Sequence, residues 1–135
     1  MKYWYAKDDT RLGKFQRQLE SKSSCTFCVL PWIHLATRPN GDMRLCCTAN
    51  ASGAGNNHTV GLIKNKDGSH ANFGKVTPME AWNSDFMKNV RNTMLAGEIP
   101  ASCRKCFEEE SKGVASKRVW ESYTWMEDGV DIPEL

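Results

Sequence analysis

Phe27-Cys28-Val29-Leu30-Pro31-Trp32-Ile33-His34-Leu35-Ala36-Thr37 leads through Arg38-Pro39-Asn40-Gly41-Asp42 into Met43-Arg44-Leu45-Cys46-Cys47, and the fold of the whole chain turns on how this passage is read. Residues 31–37 have the composition of a strand, with the aromatic and β-branched side chains that fit a pleated surface. Asn-Gly between two such runs is the strongest short-range hairpin signal, because both residues tolerate the positive φ of a tight turn. The passage therefore predicts a β-hairpin with Asn40-Gly41 at its tip. Its open end brings Cys28 close to Cys46, although 17 residues, 29 through 45, lie between them.

Working outward, residues 48–57 are small and polar, include Gly53 and Gly55, and read as a loop. Residues 59–63 and 71–76 suggest a second, weaker hairpin around Asp67-Gly68. The clearest helix signal is Thr77-Pro78-Met79-Glu80, which combines an N-cap threonine, proline in the first turn and glutamate three residues after the cap. Met79, Trp82, Phe86, Val90 and Met94 then recur at three- and four-residue steps as one apolar stripe. Gly97 supplies a stop and Pro100 prevents a restart. Cys103-Arg104-Lys105-Cys106 follows as a knuckle, and a last helix is expected over about residues 107–123 with Val119, Trp120 and Tyr123. Upstream, Leu12, Phe15 and Leu19 have helical spacing. The expected organisation is an N-terminal extension over 1–24, a metal-binding domain over 25–126 and a tail or linker over 127–135. The fold class is α+β: a small single domain with β-hairpins, a capped amphipathic helix, a cysteine knuckle and a C-terminal helix.

Eighteen basic and 16 acidic side chains leave a net charge of +2, too balanced to point to nucleic acid. The basic run 112–118 closely follows Glu108-Glu109-Glu110, and both read as solvated helix faces. No segment has the roughly 18–20 apolar residues of a membrane span. Residues 1–9 are aromatic and charged, without the apolar stretch of a signal peptide. A cytoplasmic setting is therefore expected. There, six cysteines stay reduced unless they bind metal or react.

Two Cys-x2-Cys pairs, Cys25/Cys28 and Cys103/Cys106, flank the adjacent Cys46 and Cys47. Zinc held by Cys25, Cys28, Cys103 and Cys106 would staple the two ends of the domain together. The competing set takes Cys28 and Cys46 from the base of the hairpin together with Cys103 and Cys106. Successive side chains of a strand point to opposite faces, so Cys46 and Cys47 are not expected to reach one compact site together. Cys47 should face the other side, and Cys25 is then surplus. A thioredoxin-like use of Cys103/Cys106 lacks its βαβ setting.

Cys28, twelve residues, Gly41, four residues, Cys46 and a distant Cys-x2-Cys resemble the SPASM and twitch auxiliary-cluster domains of radical S-adenosylmethionine enzymes. Cys28-Val29-Leu30-Pro31-Trp32 looks like the opening strand of such a domain and Asn40-Gly41 like its turn. Asn72-Phe73-Gly74-Lys75-Val76 with Glu80-Ala81-Trp82-Asn83-Ser84 looks like the segment that leads into its helix. With no cysteine after Cys106, the chain is similar to the single-cluster twitch form. The resemblance implies a [4Fe–4S] cluster on Cys28, Cys46, Cys103 and Cys106, used for electron transfer or structural support. Zn2+ in a structural or interaction domain is the other reading of the same cysteines.

Radical S-adenosylmethionine catalysis needs a Cys-x3-Cys-x2-Cys loop, which this sequence lacks. The expected partner is therefore a radical S-adenosylmethionine catalytic domain in cis or in trans, with no nucleic acid and no membrane. The tail reads as a linker toward such a domain, with the auxiliary domain placed first. His34 reads as a packed or hydrogen-bonded strand residue, and His58 and His70 as solvated. Trp32, Trp82, Trp120 and Trp125 suit either a hydrophobic core or a shield over a cluster.

Overall fold

The computed structural model describes residues 26–49 and 58–126. The expected N-terminal extension, Cys25, most of the 48–57 loop and the 127–135 tail lie outside the described residues. Within them the architecture is a small α+β domain, as expected.

The opening passage is more helical than its composition suggests. Leu30–Ile33 forms a single turn, α1, with proline in its first turn. Proline fixes φ at a helical value and its missing N–H costs nothing there, so Pro31 favours a helix start over a strand. Only Ala36–Thr37 is extended (β1), pairing antiparallel with Met43–Arg44 (β2) in the register Ala36 to Arg44 and Thr37 to Met43. The expected strand over 31–37 is thus mostly a helical turn. The hairpin itself is present, but its turn closes one step earlier than the Asn-Gly signal implies. Gly41 N–H donates to the Arg38 carbonyl at 2.9 Å, with Pro39 and Asn40 between them.

Gly41 has φ +92°, and a Cβ there would lie 2.9 Å from Asn72 Oδ1. Asn72 staples the tip to a third segment: its amide donates to the Asn40 carbonyl and to Asp42 Oδ1, each at 3.0 Å. Gly41→Ala therefore meets both backbone strain and a clash, and is expected to cost about 1–2 kcal/mol of stability. Thermal melting of the variant checks this. A melting curve equal to wild type would show that the tip does not need glycine.

The second hairpin is reduced to one isolated bridge, Lys64 to His70, preceded by a 3-10 turn at His58–Gly61, while a bridge from Arg44 to Leu62 joins this segment to β2. Met43 ties β2 to both of these segments: its N–H donates to the Ala71 carbonyl and its own carbonyl accepts from Ile63 N–H.

Thr77 and Glu80 form the expected capping box. The helix they open, however, is only α2, Pro78–Trp82, and α3 restarts at Asp85–Leu95. Ser84 makes the break, because its extended backbone and its hydroxyl, which accepts from Met87 N–H, cap a new helix. The restart rotates the stripe. Met87, Val90 and Met94 are buried, whereas Met79 is 66% exposed. Trp82 instead carries Arg91 on its ring, 4.9 Å from the centroid.

The last expected helix is two. A 3-10 turn, Ala101–Cys103, leads into α4, Arg104–Ser111, and α5 spans Lys117–Met126. Gly113, at φ +85°, separates them. Its N–H reaches the Glu110 carbonyl while Val114 N–H reaches that of Glu109, the paired bonds of a Schellman stop. The main core gathers Cys28, Leu30, Met43, Leu45, Ile63, Met87, Val90 and Met94, and a smaller one joins Phe27 and Val29 to Ala115 and Val119. Trp32 packs against both. Among the described residues no helix is long and apolar enough to cross a membrane.

Candidate metal centre

Three segments deliver four thiols to a single cavity. Cys28 stands just before α1, Cys46 follows β2, Cys103 caps the start of α4 and Cys106 lies in its first turn. All four line the cavity, together with Leu30, Thr48, Ala49 and Ser102. Arg44 shapes the Cys46 side of it. Its guanidinium donates to the carbonyls of Cys47 at 3.2 Å and Ala49 at 2.6 Å, curling the chain back after β2.

The thiols are electrostatically one group. Burial is the main cause that pushes Cys28 well above the ordinary thiol range, Cys103 up to about 12, and Cys106 upward. The neighbouring sulfurs push the same way. Cys28 feels Cys103, Cys106 and Cys46, Cys103 feels Cys46 and Cys106, and Cys106 feels Cys46. Such thiols stay protonated at neutral pH until a cation replaces their protons.

Polar groups already point at the sulfurs. Thr48 Oγ1 lies 3.5 Å from Cys46 Sγ, and Ser102 Oγ 3.9 Å from Cys103 Sγ. The backbone N–H groups of Leu30 and Arg118 are directed at Cys28 and Cys106 and oppose the upward shift. Lys105, Lys117 and Arg118 add positive charge around the cavity. Among the described residues no three His, Cys, Asp or Glu side chains converge tightly enough to hold a single metal ion. The four thiols ring a cavity instead, which suits a multi-atom iron–sulfur group whose ligands bind different irons. The soft donors, the hydrogen bonds to sulfur and the nearby cations all fit such a group.

Cys47 is exposed and does not line the cavity. The separation from Cys46 was expected, but strand alternation is not its cause, because β2 ends at Arg44 and a turn follows. Of the two readings open for the tryptophans, Trp32 fits core packing, since it packs against both core clusters; none of Trp32, Trp82 and Trp120 lines the cavity, and the Trp125 side chain is not among the described ones. His34 is half-buried, away from the thiols, with no partner for its Nε2 among the described residues.

Two residues read as solvated are not. Glu110 and Arg118 are buried and paired, with Arg118 Nε 2.9 Å from Glu110 Oε2. Ser116 Oγ donates to the same carboxylate at 2.6 Å, and Arg118 Nη1 donates to the Phe27 carbonyl at 2.6 Å. The guanidinium also lies 4.3 Å from the centre of the Phe107 ring.

A family model described as "SPASM: Iron-sulfur cluster-binding domain" matches residues 28–107, a span that starts at Cys28 and contains the other three cavity cysteines. Comparison with curated proteins and with solved structures found no match.

Proposed function

Since the chain belongs to the SPASM iron–sulfur cluster-binding family, we propose that Cys28, Cys46, Cys103 and Cys106 hold an auxiliary [4Fe–4S] cluster, as the accessory domain of a radical S-adenosylmethionine protein. The observation that carries this reading is the convergence of these four thiols on one cavity. A bound cluster supplies one-electron redox chemistry or a structural cross-link. Four thiolate ligands leave no iron open to a substrate, which favours electron transfer or support over substrate binding at the cluster. Leu30, Thr48, Ser102 and Arg118 direct polar groups at the sulfurs, and the basic side chains offset thiolate charge. The sequence has no Cys-x3-Cys-x2-Cys loop, so radical generation is assigned to a catalytic domain in cis or in trans.

Anaerobic reconstitution tests the cofactor. About four iron and four sulfide per chain are expected, with the absorption of a cubane cluster. Stoichiometric zinc in protein purified anaerobically from iron-replete cells, without later iron uptake, would replace this reading with a zinc-stabilised domain.

A further inference from the structure

The residues that close the cavity from the C-terminal side lie beyond the family match. Arg118 lies in the first turn of α5, eleven residues past the end of the matched segment at 107. It lines the thiol cavity and is only 2% exposed, so its charge acts in a medium that water screens poorly. Glu110 sits one helical turn after Cys106 on α4, on the same face, and is also buried, at 8% exposure. The two are fixed to each other by a fork of hydrogen bonds, and further to Ser116 and to the Phe27 carbonyl, next to Cys28. Neither charge can swing away into solvent.

Both act on the thiols, with opposite signs. The Arg118 cation lines the cavity with Cys103 and Cys106, and the Glu110 anion is held against it one helical turn from Cys106. A cluster accepting one electron gains one negative charge, so the same two fields bear on the electron. A fixed cation stabilises the reduced form and raises the reduction potential, and a fixed anion lowers it.

We infer that the buried Glu110–Arg118 pair sets the reduction potential of the cluster, with Arg118 raising it, Glu110 lowering it, and the pairing holding both charges beside the cavity. This rests on the cluster reading above. Glu110 and Arg118 are positioning residues: they touch the protein around the sulfurs and act through it. Lys117 differs, because its ammonium is partly exposed and bound to Glu121 at 2.7 Å, where solvent and salt weaken its effect.

The test is a redox titration of the full chain, reconstituted and followed by electron paramagnetic resonance. Four proteins are compared: wild type, Glu110→Gln, Arg118→Gln and the double variant. Glu110→Gln keeps the shape and its acceptor oxygen, and should raise the midpoint by about tenfold in the one-electron equilibrium, or about 59 mV. Arg118→Gln should lower it by a similar factor, and the double variant should return close to wild type. A merely structural pair predicts losses of iron or melting temperature without these opposite shifts. If Arg118→Gln fails to hold iron, the sign for Glu110→Gln decides alone: a rise sustains the inference, and a fall or an unchanged midpoint overturns it. Single-variant shifts of the same sign, or a double variant far from wild type, also overturn it. Wild-type protein with no iron or no one-electron couple would instead sink the cluster reading. A wild-type couple that the variants leave unmoved sinks only the role of the pair.

Discussion

Cys46→Ala is expected to abolish or remodel the cluster, and Cys28→Ala, Cys103→Ala and Cys106→Ala to do the same, while Cys47→Ala leaves iron content and spectrum at wild-type values. The four named thiols line one cavity, and on the proposed assignment each replaced sulfur would leave an iron without its protein ligand. Loss of a residue that merely supports a ligand costs about 10–100-fold in metal affinity, and loss of a ligand itself should cost at least that. Cys47 is exposed on the turn after β2, outside the cavity, so its replacement removes only a surface thiol. Cys25→Ala is likewise expected to keep the cluster, because four thiols already complete the set. Iron and sulfide analysis with absorption spectra of the six alanine variants provides the check. Cys25 essential and Cys46 dispensable would move the site to the two Cys-x2-Cys pairs and revive the zinc reading.

The thiol cavity was legible because its signals are local. Asn40-Gly41 announces a chain reversal, and a reversal alone places Cys28 near Cys46. The capping box and the Gly97-Glu98-Ile99-Pro100 stop announce a helix that ends where Cys103 and Cys106 begin. Each signal depends on backbone chemistry within a few residues, which survives whatever the rest of the chain does.

The Glu110–Arg118 pair was not legible, and geometry says why. On one uninterrupted helix, residues eight apart are separated by about 12 Å along the axis, too far for an ion pair. Read that way, Glu108-Glu109-Glu110 and the basic run after it are two solvated patches. Gly113 turns the chain between them, and only then do α4 and α5 bring the two charges together. The usable signal was Gly113 itself, which could have split the expected 107–123 helix into two. Similarly, Ser84 followed by Asp85 is a cap signal lying within the expected long helix, and the continuous apolar stripe masked it. Pro31 offered the same kind of warning against a strand over 31–37. In each case a backbone signal outweighed side-chain composition.

Removing the metal is expected to cost the domain much of its ordered structure, the largest effect on stability anticipated here. Regular β structure in the described residues amounts to two paired strands of two residues each, too little for an independent hairpin. Cys28 belongs to the main core, and Cys46 and Cys103 pack against it, so a metal on these sulfurs would cross-link the segments at the centre of that core. Binding to a structural metal site releases on the order of 10 kcal/mol in small zinc peptides, comparable with the about 5–15 kcal/mol that keeps a whole domain folded. The metal-free thiols do not repel one another strongly, because burial keeps Cys28 and Cys103 protonated. What the metal-free chain loses is the cross-link and the filling of the cavity. The α4–α5 corner should outlast the hairpin, since the Glu110–Arg118 pair needs no metal to form. Hydrogen exchange after chelation should therefore show amides over 28–49 losing protection well before those of Arg104–Ser111 and Lys117–Met126. Circular dichroism, thermal melting and exchange that matched the iron-loaded protein would show a core that folds independently, with the metal bound as a passenger.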